Sequence, residues 1–451
     1  MTRSRHASIV AGLIALWSAG MAGAFAPVMQ PGAVSSGAAN SASAAAATAF
    51  RAAAVKVDIT PQSPQWLLGY QARQSDGVHD RIYHRVVALE AGTTQFYLIS
   101  SDLCLFSPTL YDSVTKDLQK ETGIDPAHVW WSVTHTHAAP EVGPPDMYKV
   151  LLGRSDHEWD RNYTTEATRA LIDAVRTARD KLEPARIAFG TGASMANINR
   201  RARDVDGKIS LGLNPDGPAD RTFNLIRLDR PDGSPIALVA NYAMHGTVMN
   251  GQNVKISGDA PGTVTAYLEE KLGGTVLYIN GAAGNIAPIY SVYPDPSSGH
   301  LSQFNVLLGD RILAAAAALA PGTSAVTMRL ADKTIETPRR EGLAWPDELA
   351  SYSTPGDRPM VRLPVRVLAL NDTVIWSAPV EMFCEIAMGV RDRSPFSRTF
   401  YFGYTNGWFG YLPTAKAFEE GGYEPRTSPF TAQVEGDVSE AVTTFIQGFR
   451  R

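Results

Sequence analysis

The sequence predicts an α/β fold in which mixed β-sheets pack with helices in one large domain, residues 50–451. Short apolar, β-branched runs alternate with segments of helical periodicity as far as about residue 319, and a mostly extended stretch follows. No second linker, repeat or shift in composition divides this part of the chain. Because alternating strands and helices are typical of sheets covered by helices, we expect one layered unit.

The predicted strands are short β-branched or aromatic runs bounded by polar or turn residues. They lie at 55–59, 86–89, 96–100, 129–133, 187–189, 223–228, 236–241, 276–280, 326–330, 365–370 and 374–377. The predicted helices have apolar residues at helical spacing and lie at 109–121, 160–181, 262–272, 303–319 and 381–390. Pro108 stands directly before the first helix, and proline is common at helix starts.

The composition argues against a nucleic-acid-binding protein. The chain has 41 basic and 45 acidic residues, a formal net charge of -4, and no basic block stands out. Since a positive patch is what attracts a phosphate backbone, we expect no nucleic-acid partner.

Residues 1–26 are predicted to be a signal peptide. A positively charged start precedes an apolar run to Phe25, and small residues suited to cleavage close the run. A membrane anchor is the alternative, but serine and glycine interrupt the run and no basic stop-transfer segment follows. The absence of an Arg-Arg pair favours the general secretory route. The predicted signal peptide implies an exported protein, periplasmic or secreted. Residues 27–49 are rich in alanine, serine and glycine and are predicted to be a disordered linker.

The most informative motif is a pair of histidines after the predicted strand at 129–133. Side chains alternate along an extended segment, so His135 and His137 should project from the same face. Two neighbouring imidazoles suit a metal ion, and the alternative is a hydrogen-bonded pair without metal.

Two later strands also end at residues suited to chemistry. His245 follows the run at 236–241, and a glycine-rich turn containing Asn285 follows the run at 276–280. Open α/β sheets place their sites at strand ends, and glycine lets a backbone approach a bound group closely. We therefore expect the three strand ends to form one site.

Ten collinear fragments, which include these strand ends, resemble the neutral/alkaline non-lysosomal ceramidase family, zinc amidases that release a fatty acid from a sphingoid amine. The fragments are VDITP at 57–61, GVHDR at 77–81, SDL at 101–103, THTH at 134–137, NINR at 197–200, the strand end at His245, SGD at 257–259, GNIAP at 284–288, PVE at 379–381, and TNG with GY at 405–411. The resemblance implies the fold of that family and an exported zinc-dependent amidase that hydrolyses the N-acyl linkage of ceramide or a related N-acyl lipid.

The resemblance implies four ligands for one catalytic Zn²⁺, namely His135, His245, Glu381 and Tyr411. Imidazole and carboxylate donors with one open position are typical of catalytic zinc sites. Val380 stands where the family has glycine. Glu385, one helical turn further on, is an alternative ligand to Glu381. The alternative role for Glu381 is that of an acidic residue at a helix start, where it would interact with the helix dipole. Tyrosine is an uncommon zinc ligand, so without the resemblance Tyr411 would be an ordinary aromatic core residue.

The resemblance also assigns the chemistry around the metal. It implies catalytic roles for His137, Arg200 and Tyr411, and substrate contacts for Asn285, Ala287 and Arg200. His137 would exchange a proton with the water or the leaving amine, and Arg200 or Tyr411 would stabilise the oxyanion. The alternative for Arg200 is a solvated surface charge. Five aromatic residues are expected either in an acyl-chain groove or in the core: Trp130, Trp131, Phe383, Trp408 and Phe409.

Two departures from the family pattern affect the expected activity. Ala287 stands where the family has serine, and a methyl group can neither attack nor donate a hydrogen bond. Metal-activated water is therefore the expected nucleophile; a different substrate or weak activity are the alternatives. The resemblance runs from about Ala52 to about Glu424. Family members continue into an immunoglobulin-like domain, whereas this chain ends about 27 residues after Glu424, which favours a more soluble N-acyl amide or ester as the alternative substrate.

A non-catalytic lipid-binding homologue is the second class of function. Ala287 favours it, but the full set of implied ligands argues against it. Metallo-β-lactamase-like hydrolases are disfavoured, because Ala138-Ala139-Pro140-Glu141 stands directly after the histidine pair, where that class has Asp-His. Barrel amidohydrolases are disfavoured because they place the pair after the first strand, whereas at least three predicted strands precede it here. We expect an N-acyl lipid or other N-acyl amide as the partner, with peripheral membrane contact, and the sequence leaves the oligomeric state and the pairing of Cys104 and Cys384 open.

Overall fold

The computed structural model describes residues 50–290, 300–354, 356 and 358–450, so the predicted signal peptide and linker lie outside the described residues. The strands are β1 (Arg51–Asp58), β2 (Trp66–Leu67), β3 (Arg73–Gln74), β4 (Gly77–Val78), β5 (Tyr83–Ala91), β6 (Thr94–Ser101), β7 (Val129–Val133), β8 (Glu183–Pro184), β9 (Arg186–Ala193), β10 (Asn197–Arg203), β11 (Ile209–Asn214), β12 (Thr222–Asp229), β13 (Pro235–Tyr242), β14 (Lys255–Ile256), β15 (Thr275–Asn280), β16 (Ile286–Pro288), β17 (Met328–Pro338), β18 (Ser353–Thr354), β19 (Met360–Leu370), β20 (Thr373–Ser377), β21 (Glu381–Met382), β22 (Arg398–Phe402) and β23 (Tyr411–Leu412). The α-helices are α1 (Pro108–Thr122), α2 (Asp146–Leu152), α3 (Arg161–Asp180), α4 (Asp259–Leu272), α5 (Asp310–Ala317), α6 (Cys384–Asp392), α7 (Ala415–Glu420), α8 (Tyr423–Thr427) and α9 (Val434–Arg450).

Three mixed sheets form the framework. The first has the strand order β7-β6-β5-β1-β8, the second β15-β13-β12-β9, and the third β17-β19-β20-β22 with β18 beside β19. Most neighbours are antiparallel, but each sheet has one parallel pair: β6 with β7, β13 with β15, and β20 with β22. A parallel pair brings two carboxyl ends to the same edge of a sheet, which is where the polar residues after these strands collect.

The three sheets share one buried apolar cluster. Val87 and Leu98 come from the first sheet, Leu277 from the second, and Leu368 and Phe400 from the third. Helices cover the outer faces, with α3 on the first sheet, α4 and α5 on the second, and α6 and α9 on the third. Burial of apolar surface stabilises such a core by about 25 cal/mol per Å². The predicted α/β fold of mixed sheets packed with helices is confirmed.

All eleven predicted strands lie wholly or partly within observed strands. The first predicted helix is observed as α1, where Ser107 caps the first turn by accepting the Thr109 N–H at 3.4 Å and Pro108 occupies the first position. Gly123 ends this helix with a left-handed φ of 75°, a backbone conformation that glycine adopts without strain. The helix predicted at 303–319 contains a π-helical turn at Asn305–Gly309 before α5 begins.

The prediction for the C-terminal part of the chain is wrong in two places. The expected extended tail ends in α9, whose buried residues Val434, Val438, Val442 and Ile446 recur every four positions along one helical face. The helix predicted to begin at Glu381 begins at Cys384 instead, so Glu381 is not an acid at a helix start. Among the helices that the structure describes, none has the length and apolar composition needed to cross a membrane.

Candidate metal centre

The segments after β7 and β13 are joined side by side. His135 and His137 follow β7, and His245 follows β13. The His137 N–H donates to the Gly246 carbonyl at 2.8 Å, and the Gly246 N–H donates to the His135 carbonyl at 3.2 Å. The expectation that distant strand ends meet is confirmed for these two, and backbone hydrogen bonds fix their spacing.

Two glycines make these close approaches sterically feasible. A Cβ on Gly246 would lie 2.7 Å from Thr136 Cα and 2.8 Å from the His135 carbonyl oxygen. A Cβ on Gly284 would overlap the Glu381 carbonyl oxygen, and the Gly284 N–H donates to the Met382 carbonyl at 2.8 Å. The glycine-rich turn after β15 therefore allows close approach to the backbone of β21.

Two imidazoles and one carboxylate converge in the interior. The Nε2 atoms of His135 and His245 lie 3.4 Å and 3.1 Å from Glu381 Oε2, and all three side chains are buried. Each imidazole has its other nitrogen at a backbone carbonyl, 2.9 Å from Cys104 O for His135 and 2.9 Å from Ile286 O for His245. If both Nδ1 atoms carry their protons to these carbonyls, two Nε2 lone pairs face a carboxylate oxygen, an arrangement that requires a proton or a cation between them.

Glu381 is held in place by neighbouring aromatic side chains. Trp408 Nε1 donates to Glu381 Oε1 at 2.9 Å, and the Tyr404 hydroxyl donates to Oε2 at 3.5 Å. Glu385 lies elsewhere, because its Oε2 accepts from Asn285 Nδ2 at 2.8 Å. Of the two alternative acids, the fold brings Glu381 to the imidazoles.

The electrostatics of this cluster favour one positive charge among the imidazoles. Burial disfavours the charge on His135, but the neighbouring Cys104 and Glu381 raise its pKa to about 10. Burial and then the nearby positive charge of Arg200 lower the pKa of His245 to about 3. Burial by itself would raise the pKa of Glu381, yet the two histidines hold it well below its usual range. A buried carboxylate needs a compensating cation, and a metal ion bound here would be that cation.

Tyr411 lies beside Glu381 through strand pairing. The two residues are directly opposite each other in the parallel pair of β21 and β23, and both are buried. The Arg200 guanidinium lies over the Tyr411 ring, with Cζ 5.4 Å from the ring centroid. Burial raises the pKa of Tyr411 well above its usual value, so the phenol is neutral before any metal binds. Its role as a fourth ligand stays a prediction.

His137 lies at the solvent side of the cluster. Its Nε2 is 3.2 Å from His135 Nε2, and its ring is partly exposed whereas that of His135 is buried. The two side chains do not project from one face of an extended strand, as the sequence predicted. The strand has ended before His135, whose left-handed φ of 63° turns the backbone so that the two rings meet. The exposed Tyr70 packs its ring edge against His137 with 4.9 Å between centroids.

Arg200 is buried, so the alternative that it is a solvated surface charge is wrong. Its Nε donates to Glu424 Oε1 at 2.9 Å, and its Nη1 lies 3.0 Å from His245 Nε2. Glu424 Oε2 also accepts from Arg201 Nη1 at 2.8 Å. Among the residues that the structure describes, Arg200 Nη2 has no hydrogen-bond partner. One N–H group of a fixed guanidinium is therefore left without an acceptor beside the cluster.

The two other residues that the resemblance assigns to substrate binding, Asn285 and Ala287, make contacts within the protein. Asn285 is fully buried, its Oδ1 accepts from the Cys384 N–H at 3.0 Å, and its Nδ2 binds Glu385. Ala287 is buried in β16 opposite Ile198 of β10. These contacts give Asn285 a role in joining the turn before β16 to α6, and its contact with substrate stays a prediction.

Sequence reasoning missed several contributors to the site. The five aromatic residues expected in a groove or in the core are all buried in the core, so the groove alternative is wrong for them. The indole of Trp408 instead positions Glu381, and Glu424, which only marked the end of the resemblance, positions Arg200. The only signal for Trp408 was its place in the fragment at 405–411. Cys104 and Cys384 are free, buried thiols, and the Cys104 carbonyl orients His135.

Comparisons with known proteins show which family the chain belongs to. Residues 50–290 match the family model for neutral/alkaline non-lysosomal ceramidase, N-terminal. Neutral ceramidase B of Dictyostelium discoideum is 27% identical over 255 residues, which is 54% of this chain and 34% of that protein. Neutral ceramidase of Mycobacterium tuberculosis is 27% identical over 262 residues, 53% of this chain and 39% of that protein. The aligned part is thus about a third of the length of these relatives.

The fold is also that of a solved neutral ceramidase. The crystal structure of neutral ceramidase from Pseudomonas aeruginosa has a TM-score of 0.72 at 17% sequence identity, covering 89% of this chain and 74% of that one. At this identity the likeness concerns the fold, while the family model covers more than half of the present chain. The chain therefore belongs to the neutral/alkaline non-lysosomal ceramidase family.

Proposed function

We propose that this protein is an exported, zinc-dependent amidase that hydrolyses the N-acyl linkage of ceramide or a related N-acyl lipid. The observation that carries the proposal is the convergence of His135 and His245 Nε2 on Glu381, 3.4 Å and 3.1 Å from the carboxylate, within a chain of this family. The relatives that match it are named neutral ceramidases. Export rests on the sequence of residues 1–26, and a lipid substrate would bring the protein into peripheral contact with a membrane.

The donor set fits a zinc ion. His135, His245 and Glu381 would hold it, with Tyr411 as the fourth ligand, because nitrogen and carboxylate oxygen are ordinary zinc donors. The backbone carbonyls at both Nδ1 atoms orient the rings, as hydrogen-bond acceptors behind histidine ligands commonly do in metal sites. When bound, the ion would polarise the amide carbonyl and acidify a water molecule, which would supply the nucleophile.

Arg200 is suited to bind a polar group of the substrate. Its Nη1 donates to the lone pair on His245 Nε2, and His245 would need that same lone pair to bind a metal ion. A metal ion held by His245 would occupy that lone pair, and Arg200 would then have N–H groups without a partner on both Nη1 and Nη2. Both groups are fixed by the ion pair with Glu424, so they can donate to an amide carbonyl oxygen or a hydroxyl of the substrate.

His137 is suited to move a proton at the reacting amide. It is the cluster imidazole that reaches solvent, and burial together with the charge of His135 lowers its pKa, which keeps it neutral. A neutral imidazole can accept a proton at Nε2 and return it to a departing nitrogen. Ala287 cannot form an acyl intermediate, so the protein supplies no side-chain nucleophile at that position.

Metal analysis and turnover of a matched set of variants test this proposal. We expect His135→Ala and Glu381→Ala to lose zinc and turnover together, and His137→Ala to keep zinc with a rate lower by roughly 10² to 10⁴. Glu385→Gln is the control, since this acid follows Glu381 closely in the chain but lies in α6 and binds Asn285 instead. Zinc retained by both ligand variants would refute the ligand assignment.

The substrate class is tested on the same preparation by mass spectrometry. Ceramides, N-acyl amino acids, N-acyl amines and simple esters are incubated with and without chelator. We expect release of a fatty acid from ceramide or a related lipid that the chelator abolishes. Faster turnover of a soluble N-acyl amide or ester would show that the substrate belongs to that class instead. Zinc binding without turnover of any substrate would contradict the enzyme proposal and favour a non-catalytic lipid-binding protein.

A further inference from the structure

A cavity of about 390 Å³ opens at the end of the second sheet opposite to the candidate metal centre. It lies between the sheet and the C-terminal parts of α4 and α5, near Pro235 at the start of β13. The eight residues of β13 run from this cavity towards His245, and at about 3.3 Å per residue they span roughly 25 Å. The cavity is therefore separate from the proposed hydrolytic site.

The interior of the cavity is apolar. Leu238 and Val276 from the sheet form its floor, while Leu272, Leu313 and Leu319 form its walls. The floor residues are buried, but the three wall leucines are only partly buried and so leave apolar surface facing the cavity. A volume of about 390 Å³ is at the lower end of the range for small-molecule pockets. The volume and the apolar lining suit an aliphatic chain of medium length.

The mouth of the cavity carries one uncompensated positive charge. Arg227 pairs with Asp229 at 2.7 Å, and Arg230 pairs with Glu183 at 2.8 Å. The Arg186 guanidinium, exposed at the start of the edge strand β9, makes no hydrogen bond or ion pair with any residue that the structure describes. An apolar interior below a single free cation is complementary to an amphipathic anion.

We propose that this cavity binds one aliphatic carboxylate of about ten carbons, with its chain on Leu238 and Val276 and its carboxylate at Arg186. The site needs neither the metal nor His137. It can therefore exist even if the proposed hydrolysis is wrong, and the two proposals fail independently.

Calorimetric titration of the metal-loaded full chain with decanoate tests the proposal. We expect one site per chain outside the metal centre, and Arg186→Gln should weaken decanoate binding at least about fivefold while leaving 1-decanol binding unchanged. Ala317→Trp should remove both, because Ala317 lines the cavity from the exposed end of α5. Arg311→Gln and Ala314→Trp are the matched controls on exposed positions of α5 that do not line the cavity.

A chain-length series separates this site from adventitious binding. From octanoate to decanoate, binding should tighten about fourfold per methylene until the chain fills the cavity, and longer chains should gain little more. Equal loss of decanoate and decanol in Arg186→Gln, unchanged decanoate binding in Ala317→Trp, or no binding at all would overturn the proposal. So would a dimer of the chain that only Ala317→Trp disperses, since a second copy would then be the occupant.

Discussion

The residue His135 combines a left-handed backbone conformation with burial and with contacts to two other imidazoles. It has a left-handed φ of 63°, its side chain is buried, and its ring packs against the rings of both His137 and His245, with centroids 4.7 Å and 4.5 Å away. A bulky residue in this backbone conformation costs of order 1 kcal/mol or more, and such strain persists where the surroundings over-determine it. The fold therefore gives up stability to bring this imidazole to the cluster, which agrees with its proposed role as a ligand.

The single residue Ala287 gives a direct test of the nucleophile. If activated water attacks, Ala287→Ser should leave the turnover number within about threefold of the wild type, because no step uses that hydroxyl. The new hydroxyl would lie in a buried strand, so it should lower the free energy of unfolding by about 1 to 3 kcal/mol if it finds no partner. Steady-state kinetics with denaturant unfolding measures both, and a rise of tenfold or more in turnover would contradict the water mechanism.

The carboxylate of Glu424 has consequences beyond its own position. It is fully buried and binds both Arg200 and Arg201, so Glu424→Gln should leave buried guanidinium charge uncompensated. We expect a loss of about 3 kcal/mol in the free energy of unfolding and a lower turnover number at unchanged zinc content. Glu420→Gln is the control, because its carboxylate is partly exposed and should cost less than about 1 kcal/mol. Equal effects of the two variants on stability and turnover would argue against a positioning role.

At the scale of elements, the sequence predicted the strands better than the segments after them. Alternating and β-branched runs identify the strands because half-buried sheets impose that pattern locally. The short strands β21 and β23 have no such pattern, and only their pairing places Glu381 beside Tyr411. Trp408 and Glu424 likewise act through contacts between residues far apart in the chain. The resemblance named candidate ligands, but it could not reveal which side chains position them.

The pairing of the segments after β7 and β13 depends on Gly246. A methyl group there would press on the backbone of Thr136 and His135, which cannot move as a flexible side chain can. Gly246→Ala should therefore separate His135 from His245, lower the zinc affinity at least tenfold and cost about 2 kcal/mol or more of stability. Gly448→Ala in α9 is the control, where nothing lies within 4 Å and the change should stabilise by up to about 1 kcal/mol. Zinc titration and denaturant unfolding decide, and unchanged zinc affinity in Gly246→Ala would show that the pairing is not needed.

At the scale of the whole molecule, the layered architecture is retained while most of the sequence differs. The fold matches a solved neutral ceramidase with a TM-score of 0.72 at only 17% identity. Cores tolerate many apolar substitutions when volume and patterning are kept, whereas the polar groups at the strand ends have no such freedom. This difference explains why the resemblance was recognised from short fragments that carry polar residues rather than from the apolar core.

The stability of the whole molecule should depend on pH through His84. This residue is fully buried, with Nδ1 2.6 Å from Ser101 Oγ on β6 and Nε2 3.0 Å from the Ala167 carbonyl on α3, so it joins two layers in its neutral form. Burial lowers its pKa from 6.5 to about 4. In the unfolded chain the imidazole takes up its proton near pH 6.5, whereas in the folded chain it does so only near pH 4. The unfolded state therefore binds more protons between these values, and stability falls as the pH falls through this range.

The expected loss from His84 is about 3 kcal/mol between pH 7 and pH 4, since each pKa unit corresponds to about 1.4 kcal/mol. His84→Gln keeps a donor and an acceptor but cannot titrate, so its free energy of unfolding should vary less steeply across the same range. Denaturant unfolding of both proteins at a series of pH values measures the difference, in which the titration of all other groups cancels. Parallel profiles for the two proteins would show that His84 is not the group that couples protonation to unfolding. A variant that is less stable at pH 7 and more nearly equal to the wild type at pH 4 would show that the neutral imidazole joins the sheet to its covering helix.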